Sequence, residues 1–91
     1  MRIAMIGTGY VGLVSAACFA QMGHRVTAAD INGAKIECLR KGELPIFEPG
    51  LAAIIKKSLS SGRLNFVTDR KRAVREAEAV FIAVRSEEHT S

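Results

Sequence analysis

The chain has 91 residues, which is enough for one small domain and not for two. Hydrophobic residues make up 48% of it, and this content excludes a chain that is disordered throughout. The net charge of +4 is compatible with an anionic partner such as a nucleotide, but charge alone does not identify one.

The apolar N-terminus is interrupted by glycines at positions 7, 9 and 12. Because glycine weakens a helix, we do not expect this segment to act as a signal peptide. No apolar run reaches the length of about 18 residues that a membrane span needs, so we expect a cytoplasmic protein. Cys18 and Cys38 lack the spacing of a disulfide framework or a metal site, and we expect them to be small buried residues in a reducing compartment.

The chain begins with a predicted strand, helix and strand. Residues 2–6 form a short apolar run that ends at a glycine, as buried parallel strands do. Residues 11–22 follow helical spacing, and Gly23 ends the pattern. Residues 25–29 are a second apolar run, which ends at Asp30. We expect the buried face of the first helix to carry Val11, Val14, Ser15, Cys18 and Met22.

Two predicted helices follow. Residues 34–40 form the first of them, and Pro45 prevents it from continuing. Pro49 fits the first turn of the next helix, where its missing N–H is not needed. The expected buried positions of these two helices are Ile36 and Leu39, then Leu51, Ile54, Ile55 and Leu59.

The last part of the chain again alternates between strand and helix. Residues 64–67 and 79–84 are predicted strands, and Asp69 offers an N-cap for a short basic helix at residues 70–75. The order β-α-β-α-α-β-α-β predicts an α/β fold, the N-terminal part of a Rossmann-type doubly wound parallel sheet. By analogy with such sheets we expect the strand order 3-2-1-4, with the fourth strand as an uncharged, aggregation-prone edge.

A glycine-rich loop between the first strand and the first helix carries the clearest functional signal. Residues 7–12, Gly-Thr-Gly-Tyr-Val-Gly, have the spacing G-x-G-x-x-G between a strand and a helix. The first glycine permits a tight turn, the second lets the backbone approach a pyrophosphate, and the third lets helix and sheet pack closely. The N–H groups that begin the helix would face the phosphates. This loop predicts dinucleotide binding.

The acidic residue after the second strand indicates which dinucleotide is bound. Asp30 lies eighteen residues after Gly12, where a carboxylate accepts hydrogen bonds from the ribose hydroxyls of adenosine. The same carboxylate would repel a 2′-phosphate, and neither Ile31 nor Asn32 supplies an arginine to accommodate one. We therefore expect NAD rather than NADP, with Lys35 close enough to reach the ribose or a phosphate.

Three segments together resemble the start of the UDP-glucose/GDP-mannose dehydrogenase family: residues 7–14, Asp30 with Lys35, and residues 44–51, Leu-Pro-Ile-Phe-Glu-Pro-Gly-Leu. The resemblance extends over residues 1–84, and the aromatic Phe47 is more similar to the UDP-glucose enzymes of that family. It implies a two-step oxidation of the sugar C6 alcohol to a carboxylate, UDP-glucose to UDP-glucuronate, with two NAD and a cysteine-bound intermediate.

The resemblance also implies roles for individual residues. Val11, Asp30 and Lys35 would contact NAD, and the backbone of the glycine loop would bind its pyrophosphate. The expected cofactor-binding residues are therefore Gly7, Thr8, Gly9, Tyr10, Val11, Gly12, Asp30 and Lys35. Cys18 and Cys38 match no catalytic position, so we expect no catalytic or metal-binding residue here. The full-length enzyme would be a homo-oligomer that acts on a nucleotide sugar, with no nucleic-acid or membrane partner.

The resemblance stops at Val84, where the family continues with Gly-Thr-Pro and this chain with Arg-Ser-Glu-Glu-His-Thr-Ser. Common sequencing-adapter DNA encodes the same heptapeptide in frame. We therefore expect residues 1–84 to be a partial NAD-binding domain and residues 85–91 a non-native tail, or else a short disordered one. Such a chain would lack the catalytic segment and retain weak affinity for the ADP half of NAD only.

Other interpretations fit parts of the pattern. A regulatory NAD-sensing module shares the glycine loop and Asp30, but it does not account for residues 45–51. Nucleic-acid binding would depend on the basic helix, which lacks interleaved aromatic residues and is more typical of a solvated helix face. An ordinary β-α turn with Asp30 as a helix cap is the interpretation that needs no ligand. His24, in a turn, is expected to be exposed.

Overall fold

The computed structural model describes residues 1–44 and 48–83, in which strands and helices follow the predicted order. The predictions for Pro45, Phe47, Val84 and the tail at residues 85–91 lie outside the described residues. The last strand, predicted over residues 79–84, ends earlier, at Ile82, and Ala83 lies outside it. The elements are β1 (Arg2–Ile6), α1 (Tyr10–Gln21), β2 (Arg25–Ala29), α2 (Gly33–Arg40), α3 (Pro49–Ser60), β3 (Leu64–Val67), α4 (Arg70–Arg75) and β4 (Ala79–Ile82).

The four strands form one parallel sheet in the order β3-β2-β1-β4, which confirms the predicted order. Ile3 of β1 is in register with Val26 of β2 and with Ala79 of β4. Because all four are parallel, their carboxyl ends meet at one edge of the sheet. Within the described part of the chain, β4 pairs with β1 alone.

Successive residues of each strand face opposite sides of the sheet, as the pleat requires. On one side, Ile3 and Met5 belong to a large core that the sheet forms with α1, α2 and α3. On the other side, Ala4 belongs to a small core that α4 closes with Ala73. The buried positions predicted for α2 are confirmed, and those of α3 are buried or half-buried against the large core. The Asp69 cap of α4 is also confirmed, since its side chain accepts from the N–H groups of the helix.

The first helix buries a different face from the one we predicted. Its buried residues are Gly12, Leu13, Ala16, Ala17 and Ala20. Val11, Cys18 and Met22 are exposed, while Val14 and Ser15 are half-buried. The helix has apolar residues on every side, so hydrophobicity alone does not select a face. The side with small residues faces the sheet because it allows the closest approach.

Three further residues correct the sequence-based expectations. Cys18 and Cys38 are exposed free thiols and not buried residues, because each falls outside the buried stripe of its helix. His24 is half-buried and not simply exposed. Its Nδ1 lies 3.2 Å from the N-terminal nitrogen of Met1, and its ring meets that of Phe19 edge-on.

Among the described residues, no helix is long and apolar enough to cross a membrane.

Candidate functional site

A cleft of about 490 Å³ opens at the carboxyl edge of the sheet. It lies at β1, where the neighbouring crossovers lead to opposite faces, the position at which doubly wound sheets bind their ligands. Its residues come from the glycine loop (residues 7–12), the segment after β2, the start of α4 and the end of β4. They are Ile6, Gly7, Thr8, Gly9, Ala29, Asp30, Ile31, Asn32, Lys35, Arg70, Ile82 and Ala83.

Gly7 turns the chain out of β1. Its φ of +103° lies in the left-handed region that favours glycine. A Cβ at this position would also meet the carbonyl oxygen of Ala83, just after β4. The Gly7 N–H donates to the carbonyl of Ala29 at 2.8 Å, which ties the loop to β2. Both the turn and the close approach therefore require glycine.

Gly12 allows the first turn of α1 to rest directly on the loop. A Cβ here would meet the carbonyl oxygen of Gly7 and lie 3.3 Å from the Cβ of Ala83. This contact is the physical reason for the third glycine of the motif. Gly9 is the N-cap of α1, with extended backbone, and it lines the cleft. The approach of Gly9 to a pyrophosphate stays a prediction.

The first turn of α1 presents free backbone donors. The helix has no side-chain cap, and its first backbone bond runs from the Leu13 N–H to the Gly9 carbonyl at 2.9 Å. Across residues 1–44 and 48–83, no acceptor partners the N–H groups of Gly9, Tyr10, Val11 or Gly12. Unpaired N–H groups at the positive end of a helix dipole favour an anion. The residues present thus fit the pyrophosphate of a dinucleotide.

Asp30 is held in place by three donors. The Thr8 hydroxyl donates to Oδ2 at 2.6 Å, and the Thr8 N–H donates to the same oxygen at 3.2 Å. The Asn32 N–H donates to Oδ1 at 3.0 Å. Asn32 also caps α2, because its side chain accepts from the Lys35 N–H at 3.1 Å. The Lys35 ammonium lies 4.0 Å from Oδ2. These contacts fix the carboxylate relative to both the glycine loop and α2.

The Asp30 carboxyl stays ionised at neutral pH. Partial burial raises its pKa, but the hydrogen bonds from the Thr8 hydroxyl, the Asn32 N–H and the Thr8 N–H, together with the charge of Lys35, lower it by more. The net pKa lies below the ordinary value of 3.8. An ionised carboxylate can accept a hydrogen bond from a sugar hydroxyl and repels a phosphate.

The structure separates the predicted site residues into three groups. Gly7, Thr8, Gly9, Asp30 and Lys35 line the cleft. Gly12 is buried beneath the loop, whereas Tyr10 and Val11 are exposed on the first turn of α1. Contact of these residues with a cofactor stays a prediction.

Sequence reasoning missed several residues that line the cleft, among them Arg70, Ile82 and Ala83. They are distant from the glycine loop along the chain, and the sheet order brings them to it. Arg70 follows shortly after β3, and Ile82 and Ala83 lie at and just after the carboxyl end of β4. The predicted order 3-2-1-4 therefore contained the signal that could have found them.

The match to known proteins covers almost the whole chain. Residues 1–90 match the NAD binding domain of the UDP-glucose/GDP-mannose dehydrogenase family. A UDP-glucose 6-dehydrogenase of Rhizobium meliloti (strain 1021) is 55% identical over 84 residues, which are 92% of this chain and 19% of that protein.

Two solved structures share the fold of the chain. A ternary complex of GDP-mannose dehydrogenase from Pseudomonas aeruginosa superposes with a TM-score of 0.88 and 42% identity, over 93% of this chain and 20% of that one. A UDP-glucose dehydrogenase from the archaeon Pyrobaculum islandicum has a TM-score of 0.85 and 46% identity, over 90% of this chain and 19% of that one. The chain thus spans about a fifth of the length of these relatives.

Proposed function

The chain belongs to the UDP-glucose/GDP-mannose dehydrogenase family as part of its NAD-binding domain, and we propose that its cleft binds the ADP half of NAD. The observation that carries the proposal is Asp30, an ionised carboxylate fixed beside the glycine loop by Thr8 and Asn32. This arrangement provides an acceptor for a ribose hydroxyl next to free N–H donors for phosphate oxygens.

Each part of the ligand has a counterpart in the cleft. The N–H groups of residues 9–12 would hold the pyrophosphate, and Asp30 would accept from the adenosine ribose. Lys35 and Arg70 add positive charge to the same cleft. NAD, when bound, accepts a hydride from the substrate. The residues of this chain bind and orient it, and Asp30 excludes the 2′-phosphate of NADP.

We infer that the reaction of the whole enzyme is the oxidation of UDP-glucose to UDP-glucuronate with two NAD. The support is the 55% identity to a UDP-glucose 6-dehydrogenase, against 42% to a GDP-mannose dehydrogenase.

Cys18 and Cys38 are absent from the lining of the cleft, so the nucleophilic cysteine is proposed to lie outside this chain. We further propose a cytoplasmic homo-oligomer, with residues 1–84 as the family-derived part of the chain. Family membership favours this enzyme over a regulatory NAD-sensing module.

The cofactor proposal is tested by calorimetric titration of the 91-residue chain. We expect NAD and ADP-ribose to bind with similar Kd, and nicotinamide mononucleotide not to bind, because the cleft holds the ADP half. Asp30→Asn should weaken ADP-ribose binding about tenfold, the effect of losing a charged hydrogen-bond acceptor. Asp69→Asn is the matched control, since it lies outside the cleft and asparagine also caps a helix. Equal affinities of the two variants would contradict the proposal.

The substrate proposal is tested on the gene product. The coding sequence is read from genomic DNA through and beyond codon 84, and the encoded enzyme is purified. Its rates with UDP-glucose, GDP-mannose and UDP-N-acetylmannosamine are then compared by NADH absorbance. We expect UDP-glucose to be preferred, with two NADH formed per sugar. Preference for another sugar would overturn the substrate assignment and leave the cofactor site unaffected.

A further inference from the structure

The donors of Thr8 point to Asp30 and are unavailable to a phosphate. The residue is 1% exposed. Its hydroxyl and its backbone N–H both donate to Asp30 Oδ2, at 2.6 and 3.2 Å. A hydroxyl has a single hydrogen, so this residue has no donor left for a ligand. The backbone of the glycine loop is expected to bind the pyrophosphate, and by this geometry the Thr8 N–H takes no part in that binding.

The two oxygens of Asp30 differ in what they can still accept. A carboxylate offers about four acceptor positions, about two on each oxygen. Oδ2 accepts both bonds from Thr8, and Oδ1 accepts one bond from the Asn32 N–H. By this count, the open acceptor position within the described residues is on Oδ1.

We propose that Thr8 is a positioning residue, whose buried hydroxyl fixes the Asp30 carboxylate so that Oδ1 accepts one hydroxyl of the adenosine ribose. This inference rests on the proposed function and adds to it the group that holds the acceptor in place. Thr8 acts through Asp30 and makes no side-chain contact with the ligand.

The proposal explains how a carboxylate with only partial burial selects a diol over a phosphate monoester. A hydrogen bond of 2.6 Å to an ionised acceptor is charge-assisted and strong. It opposes both rotation and protonation of the carboxyl group. The other charged groups that line the cleft are Lys35 on α2 and Arg70 on α4. The Lys35 ammonium is 4.0 Å from Oδ2, beyond hydrogen-bonding distance, so Thr8 makes the closest contact.

The test compares three threonine variants of the full chain. Thr8→Val removes the hydroxyl but keeps the branched shape and the backbone N–H, while Thr8→Ser restores a hydroxyl. Thr27→Val is the matched control, because Thr27 lies on β2 outside the cleft. For ADP-ribose at neutral pH, we expect Thr8→Val to raise the Kd about three- to tenfold, the effect of losing one hydrogen bond that supports a charged acceptor. Thr8→Ser should rescue binding, and Thr27→Val should bind as the wild type does.

The decisive readout is the titration of Asp30 itself, followed by the carboxyl 13C shift between about pH 2 and pH 6. The ionised form is the better acceptor, so affinity is full above the pKa of Asp30 and declines as the pH falls through it. In Thr8→Val we expect that pKa, and the pH at which ADP-ribose affinity declines, to rise together. A merely structural role would lower stability without moving either value.

Three results would overturn the proposal. They are an unchanged Asp30 titration in Thr8→Val, a Thr8→Ser variant that behaves like Thr8→Val, and a wild-type Asp30 that titrates at or above 3.8. The third needs no variant, so it can overturn the proposal even if Thr8→Val does not fold. If the wild type binds no ADP-ribose, the proposed function fails, and the Asp30 titrations alone decide the role of Thr8.

Discussion

At Gly12, the space for a side chain is already occupied by the loop that precedes the helix. A methyl group there would overlap the carbonyl oxygen of Gly7, which belongs to the backbone and cannot rotate away. We expect Gly12→Ala to lower the free energy of unfolding by about 1–3 kcal/mol, in the range of overpacked sites, and to weaken ADP-ribose binding. Urea unfolding and calorimetry measure the two effects.

Gly33→Ala is the control for this substitution. Gly33 begins α2, and no atom lies within 4 Å of the position its Cβ would take. Stability should be unchanged or raised by up to about 1 kcal/mol, because alanine restricts the unfolded chain and favours a helix. If both variants lose the same stability, the contact at Gly12 is not the cause.

Asp30 makes the stability of the chain depend on pH. Because folding lowers the pKa of this carboxyl, its stabilising contribution is complete above the unfolded value near 3.8 and is lost as the pH falls through the lower folded value. Asp30→Asn removes the titrating group. We therefore expect the difference in free energy of unfolding between wild type and variant to be largest near neutral pH and to shrink in acid. Urea unfolding at several pH values measures it, and a difference that is independent of pH would contradict the expectation.

Single residues were predictable from sequence where one short segment determines their role. Gly7 and Gly12 are required by the turn and by the contact between loop and helix, both of which lie within residues 7–12. The role of Asp30 was predictable because this residue directly follows the next predicted strand, residues 25–29. Arg70 was not found, because it reaches the cleft only through the order of the strands. The pairing of Thr8 with Asp30 joins two loops, and the sequence gives no sign of it.

Among the elements, α1 shows most clearly which residues stabilise the fold. Leu13 is 1% exposed in the large core, whereas Met22, just past the helix, is 71% exposed. We expect Leu13→Ala to cost about 2–5 kcal/mol of unfolding free energy, the usual loss for a fully buried leucine. Met22→Ala should change it by less than about 0.5 kcal/mol, as exposed positions do. Comparable losses in the two variants would support the face that the sequence predicted instead.

The elements differ in how much of them the sequence predicts. A buried parallel strand is a short apolar run between turn residues, so β1, β2 and β3 were predicted with their observed bounds. The helices α1 and α2 each begin one residue before the predicted start. Orientation is harder for a helix such as α1, where alanines and larger apolar residues alternate around the axis. Its buried side depends on how closely the sheet lets it approach, which is a property of the packed structure.

For the whole molecule, the sheet leaves an apolar strand at one side. In the described residues β4 pairs only with β1, and Val80 and Ile82 are 43% and 70% exposed. Phe81 is partly covered by Phe19, with ring centroids 5.0 Å apart. No charged residue lies within β4, and an uncharged open edge can pair with another chain. The same parallel order that assembles the cleft therefore also creates a surface prone to association.

We expect the chain to self-associate at tens of micromolar, and Val80→Lys to reduce this association. Val80 is the suitable position, because it is exposed on the edge strand and does not line the cleft. A lysine there sets like charges against each other when two edges meet, and native edge strands use it in this way. Sedimentation velocity should show larger species for the wild type and mostly monomer for the variant, with ADP-ribose affinity unchanged. A monodisperse wild-type monomer at the same concentration would show that the open edge of β4 does not drive association.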